Sequence, residues 1–298
     1  LHPHNKVSPV QRKIMSTVKE NNVFNIAIEG NFDDCQNLVK AMFADKDFSN
    51  SINMSGVNSI NWARIIAQAV YYFYTYFLIK DKKSINFSVP TGNFGDVYAG
   101  YLSKKMGLPI NKLIVATNKN DILHRAISTG KYEVETVFET NSPSMDIQVA
   151  SNFERLIYDL NDFDDIETKD VMIKIKDEGK YIFAKNRLEK IRKDFLSESM
   201  NEEEVIETIR NIYNKYKVIL DPHTAIGLGA LNKINIEGDN IVLATAHPCK
   251  FPDAIDKSIS IKPSLPSELQ YIMDKKEYYD IVPNNVSKTK QYIKDKLK

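Results

Sequence analysis

The stretch Ile85-Asn86-Phe87-Ser88-Val89-Pro90-Thr91-Gly92-Asn93-Phe94-Gly95-Asp96 decides the fold. Ile85 to Val89 is a short, mostly apolar run and reads as a buried strand. A glycine-bearing turn follows, then a helix from about Asp96 to Lys105 and a second strand from Lys112 to Ala116. Strand, turn, helix, strand is a parallel β-α-β unit, so the class is α/β.

The turn itself has a chemistry. Where a strand runs into a helix, successive N–H groups converge on one spot and the helix dipole adds partial positive charge. Gly92 and Gly95 let the backbone approach a ligand and take unusual dihedrals, Asn93 adds an amide, and Asp96 can cap the helix. The spacing is GxxG, which disfavours a dinucleotide or a P-loop nucleotide. An ordinary tight turn is the alternative.

Outward from it, Val23 to Ile28 reads as a strand. Asp33 or Asp34 can cap the helix after it, with Cys35, Leu38, Val39, Met42 and Phe43 as apolar positions. Residues 45–57 are small and polar, and the domain boundary is placed there: residues 1–50 form one piece and 51–298 another. The next helix, Asn58 to Lys80, is apolar on most faces and is expected to be central and buried. Beyond Lys112 to Ala116, a helix over Asp121–Gly130 is expected. Met172 to Lys176 and Lys180 to Lys185 alternate like surface strands, and Asn186 to Leu196 and Asn201 to Tyr216 read as solvated helices. Leu220 to Ile234 reads as turn plus helix, and Asn240 to Ala244 as a strand.

Two further constellations stand out. In Asn58-Ser59-Ile60-Asn61-Trp62-Ala63-Arg64, Ser59 or Asn61 sits at a helix N-cap, with the Arg64 cation one turn on. Together they make a second anion site, or a plain cap with an ion pair. Ala244-Thr245-Ala246-His247-Pro248 puts a hydroxyl at the C-terminal end of a strand, where open α/β sheets bind ligands.

Composition narrows the class. With 40 basic against 39 acidic residues, net +1, no global field favours nucleic acid or an anionic membrane. The longest apolar run, Ala67 to Ile79, is too short to span a bilayer, which needs about 20 residues. Cys35 and Cys249 lack any CxxC spacing and read as reduced, buried thiols of a cytoplasmic protein. The five histidines have no metal-ligand spacing, so no metal is expected.

The strings KVSPVQRK, IEGNFDDCQNLVK, NSINWARIIAQAVYYF, SVPTGNFGDVYAGYLSKKMGLP, ATNKND, DPHTAIG and TAHPCKF, in this order over residues 6–251, resemble the threonine synthase family, in its bacterial and fungal branch. The resemblance implies a fold-type-II pyridoxal-phosphate architecture: a parallel-sheet large domain, here residues 51–298, with the remnant of a smaller α/β domain in 1–50. It implies pyridoxal 5'-phosphate as cofactor and the conversion of O-phospho-L-homoserine and water to L-threonine and phosphate. Gly92, Asn93, Phe94, Gly95 and Asp96 then map to the cofactor phosphate loop, and Thr245 to the hydroxyl facing the pyridine nitrogen. Asn58, Ser59 and Arg64 map to the substrate phosphate, with Asn93 a candidate for both.

One departure matters. The family's cofactor-bearing lysine lies in an F-K-D-F-type motif and its S-G-D-T-G loop lies upstream, and neither string occurs in this sequence. Lys46-Asp47-Phe48 and Lys193-Asp194-Phe195 are lookalikes out of order, so the catalytic lysine is unassigned. The expectation is the C-terminal part of such an enzyme, inactive on its own, acting on a small molecule as a monomer. Rival readings are a non-catalytic phosphate-ligand binder, or a related enzyme such as a threonine dehydratase.

Overall fold

The computed structural model describes residues 1–57, 60–80 and 84–297. They form two compact units, Leu1–Gly56 with Ser264–Lys298, and Val57–Pro263.

The first unit is a parallel three-stranded sheet in the order His2–Pro3, Ile26–Glu29, Asp280–Pro283. Ile26, Ile28 and Val282 bury against Cys35 and Leu38 of the helix Phe32–Ala44. That helix is capped by Asn31, whose side chain accepts the Asp34 N–H, not by Asp33 or Asp34. Arg12 of the helix Pro9–Ser16 pairs with Glu277 at 2.9 Å. The division differs from the boundary expected at residues 50 and 51. The tail returns to the first unit because Asp280–Pro283 pairs in register along Ile26–Glu29.

The second unit holds a four-stranded parallel sheet in the order Phe195–Ser199, Ile110–Thr117, Ile85–Pro90, Asp239–Val242. Ile85–Pro90 is buried at every position, as a central parallel strand must be when both faces are covered. Ile85, Phe87 and Val89 face one core cluster with Tyr72, Phe94 and Val97. The polar residues between them are satisfied individually. Ser88 Oγ donates to the Gly227 carbonyl at 2.6 Å, and Asn86 Nδ2 donates to Asn240 Oδ1 at 2.9 Å. Asn111 Nδ2 donates to Asn86 Oδ1 at 2.8 Å, so Asn86 ties the strand to both neighbours. Gly227 lies in the helix Pro222–Lys233, and a Cβ there would come within 2.9 Å of Val242 Cγ1. Only glycine lets that helix lie so close to the sheet.

Several expectations change. Met172–Lys176 is not a strand but part of the helix Asp165–Glu178. Asp164 caps it, and Thr168, Val171 and Ile175 are buried at helical spacing, so the 3.6-residue period overrides the local alternation. Phe195–Ser199 is a strand where a helix end was expected, because pairing with Ile110–Thr117 buries Phe195 completely. The helix Trp62–Leu78 buries one face, Ile65, Ala69 and Tyr72, rather than lying buried all round. Its outward apolar residues stay open, with Phe77 at 71% and Tyr74 at 64% exposure. No helix among the described residues is long and apolar enough to cross a membrane. Cys35 and Cys249 are both buried free thiols.

Candidate active site

The loops at the C-terminal ends of the parallel strands converge on a cavity of about 250 Å³ in the second unit. That is where open α/β sheets receive ligands. Gly92, Asn93, Phe94, Gly95 and Asp96 line the cavity, and so does Thr245. Six residues singled out in the sequence are thus brought together. Arg64 is not among the cavity's lining residues. It lies exposed on the helix Trp62–Leu78, and its Nη1 donates to the Val57 carbonyl at 2.8 Å. Asn58 and Ser59 lie outside the described residues. Asn61 is the N-cap of that helix, accepting the Ala63 N–H at 3.0 Å.

The turn is built differently from the expectation. Its left-handed residue is Phe94, at φ 65°, and neither Gly92 nor Gly95 has a positive φ. Such a backbone costs a bulky residue of order 1–3 kcal/mol and persists only where packing fixes it. Here the Phe94 ring is 1% exposed and lies 5.1 Å from Phe153 and 5.7 Å from Phe195. Gly92 serves close approach instead, because a Cβ there would lie 2.7 Å from the Ser144 carbonyl oxygen.

Phe94, not Asp96, is the N-cap of the helix Gly95–Lys105, and no side chain caps it. The first-turn N–H groups therefore remain for an anion, with the helix dipole behind them. Asn93 is held by its carbonyl end: Oδ1 accepts Ser151 Oγ at 3.3 Å, leaving the NH₂ end as the donor for a ligand. Asp96 receives a hydrogen bond from the Tyr72 hydroxyl at 3.2 Å. Burial pushes the Asp96 carboxyl up to about 6, with the Tyr72 bond pulling the other way. Burial also raises the Tyr72 phenol well above its ordinary range.

Among the lining residues not picked out in the sequence are Gln68, Ser144, Met145 and His223. Gln68 is the one amide in the apolar run Ala67 to Ile79, a signal that was there to be read. His223 stands inside DPHTAIG, whose spacing suggests no metal and so drew no role. Ser144 and Met145 are placed by a polar network no single motif reveals. Asn118 Nδ2 reaches Thr140 Oγ1 at 2.9 Å, Ser142 Oγ at 2.9 Å and Asp146 Oδ1 at 2.8 Å. Asn120 Nδ2 joins it at Asp146 Oδ1, 3.0 Å away. The string ATNKND thus fixes the wall opposite Gly92.

Residues 224–293 match the family model described as threonine synthase, C-terminal. The chain is 46% identical to a threonine synthase of Pseudomonas aeruginosa, covering 98% of this chain and 63% of that one. It is 43% identical to the threonine synthase of Saccharomyces cerevisiae, covering 100% of this chain and 64% of that one. The crystal structure of a PLP-bound threonine synthase from Brucella melitensis superposes with a TM-score of 0.94 at 44% identity, covering 99% of this chain and 64% of that one. Over nearly its whole length the chain is similar to threonine synthases. Its α/β fold with parallel sheets is that of the fold-type-II threonine synthases, as the resemblance implied. It spans less than two thirds of the length of these relatives.

The cavity suits a phosphorylated cofactor on its own terms. The glycine-lined turn admits an anion to an uncapped helix end. On the same cavity, Gln68 Oε1 and His223 Nε2 are buried with no hydrogen-bond partner among the described residues.

Proposed function

We propose that the chain carries the cofactor-seating part of a threonine synthase, which converts O-phospho-L-homoserine and water to L-threonine and phosphate with pyridoxal 5'-phosphate. The observation that carries this reading is the uncapped, glycine-lined helix end that lines one cavity together with Thr245. It gains weight from the Brucella melitensis relative, which binds PLP. Val57–Pro263 is read as the C-terminal part of the large cofactor-binding domain, and the first unit as belonging to a smaller α/β domain.

In this reading the N–H groups around Gly92 to Asp96 hold the cofactor phosphate, and Asn93 adds its NH₂ donor. The Thr245 hydroxyl meets the ring nitrogen and orients the ring without adding charge. When bound, pyridoxal phosphate supplies the electron sink that carbanion chemistry needs. Asn58, Ser59 and Arg64 receive the substrate phosphate. Arg64 is a permanent cation with donors beyond the one given to Val57, and it stabilises the negative charge on the departing phosphate. The partners are small molecules, and the family resemblance favours a cytoplasmic monomer.

The test is release of inorganic phosphate from O-phospho-L-homoserine by the protein that carries this sequence, matched mole for mole by threonine. Cofactor binding without phosphate release would defeat the reading. Ammonia released from threonine would point to a dehydratase instead.

A further inference from the structure

Asp221 and His223 open the helix Pro222–Lys233, and both are almost fully buried, at 1% and 4% exposure. Asp221 is the N-cap. Its Oδ1 accepts the His223 backbone N–H at 2.9 Å and faces His223 Nδ1 at 3.0 Å. Its Oδ2 accepts the Thr224 N–H at 3.3 Å and the Thr224 hydroxyl. The backbone N–H groups and the hydroxyl are donors, and a carboxylate ringed by donors has no proton to give. Nδ1 of His223 therefore carries a hydrogen. In the neutral ring Nε2 is then an acceptor. It is buried and unpartnered among the described residues, while His223 lines the cavity and packs on Phe251 with ring centroids 4.7 Å apart. Gln68 Oε1, on the same cavity, is a second buried acceptor with no partner among the described residues. Buried acceptors without donors destabilise a fold, so their persistence on one cavity asks for a ligand that brings donors.

We propose that His223 is a ligand-contacting residue of this cavity, held in its Nδ1–H tautomer by Asp221 so that Nε2 accepts a hydrogen bond from the ligand. This rests on the reading that a phosphorylated ligand seats on the Gly92–Asp96 turn, and it adds that the ligand carries O–H or N–H donors beyond the phosphate. Asp221 is the positioning residue and Gln68 the second acceptor.

Two probes separate the parts. Sulfate fills an anion seat and brings no donor. Pyridoxine 5'-phosphate brings phosphate and hydroxyl donors but has no aldehyde to react with surface lysines. In the histidine-labelled chain, ¹⁵N spectra are expected to show His223 protonated at Nδ1 and bare at Nε2. Pyridoxine 5'-phosphate should shift Nε2 while sulfate leaves it in place, and both should shift the Gly92 and Gly95 amides. His223→Phe, which keeps a packed ring, should lower pyridoxine 5'-phosphate affinity about tenfold, the loss of one hydrogen bond to a desolvated acceptor, and leave sulfate affinity unchanged. Asp221→Ser, too short to reach Nδ1, should release the fixed tautomer. Amide shifts at Gly92 with no change at Nε2 would overturn the role of His223 and leave the turn's role standing. If neither probe moves the Gly92 amide, both readings fall. The wild-type spectra decide even if His223→Phe does not fold.

Discussion

Gly92 faces Ser144 so closely that a Cβ on Gly92 would stand 2.7 Å from the Ser144 carbonyl oxygen. The obstacle is backbone, and the Asn118–Asp146 network holds that backbone in place. Gly92→Ala should therefore push the two walls apart. We expect a loss of about 1–3 kcal/mol in stability, the usual cost of overpacking a fixed site. Anion binding should fall with it. Urea unfolding and a sulfate titration of the variant check both, and an unchanged sulfate affinity would show that the Gly92 approach does not shape the seat.

Phe94 combines a left-handed backbone with a buried ring, and two substitutions separate these. Phe94→Ala removes the ring from contact with Phe153 and Phe195 and should cost about 3–5 kcal/mol. Phe94→Gly removes the same ring but relieves the backbone, so it should be about 1 kcal/mol more stable than the alanine variant. That order is unusual, since glycine normally destabilises. Side-by-side urea unfolding gives the answer, and the reverse order would mean that residue 94 is not left-handed.

Much of this was legible in the sequence, and the exceptions have physical causes. The unit from Ile85 to Thr117 could be read because its strands are buried on both faces and the turn chemistry is local. The six lining residues from Gly92 to Asp96 and Thr245 were found because they follow strand ends. Phe94 as the strained residue was missed, since glycine is the default for a left-handed backbone and only long-range packing moves that role to a phenylalanine. Asp280–Pro283 and Phe195–Ser199 were missed because their neighbours in the sheet come from distant sequence. Arg64 and Thr245 both suit phosphate-ligand chemistry by residue type, yet of the two only Thr245 lines the cavity. Type and spacing do not fix where a side chain is held.

Asp96 predicts a pH dependence. Its carboxyl is pushed from 3.8 up to about 6 in the folded chain, so between these values the folded state binds the extra proton. A raised carboxyl contributes most stability when protonated, and that contribution is lost as pH rises through about 4 to 6. Above 6 the buried charge also opposes an anion in the same cavity. Sulfate keeps its charge over this range, so its affinity should fall as pH rises from 5 to 7. Asp96→Asn should flatten both the stability and the affinity profiles. Parallel profiles for wild type and variant would assign the dependence to another group.

Arg64 tests whether two phosphate sites are separate. The residue is exposed, donates to the Val57 carbonyl and does not line the cavity. An exposed side chain with one backbone hydrogen bond contributes little to stability, so Arg64→Ala should cost under about 1 kcal/mol. It should leave pyridoxine 5'-phosphate affinity unchanged, because the proposed cofactor seat is made of backbone N–H groups and the Asn93 amide. Affinity for O-phospho-L-homoserine should fall by tenfold or more, since a guanidinium–phosphate pair is among the stronger polar contacts a site can make. Calorimetric titration of both ligands into both proteins distinguishes the cases. A parallel loss for the two ligands would mean that Arg64 serves one shared phosphate site, and the division between cofactor and substrate anchors would have to be redrawn around Asn93.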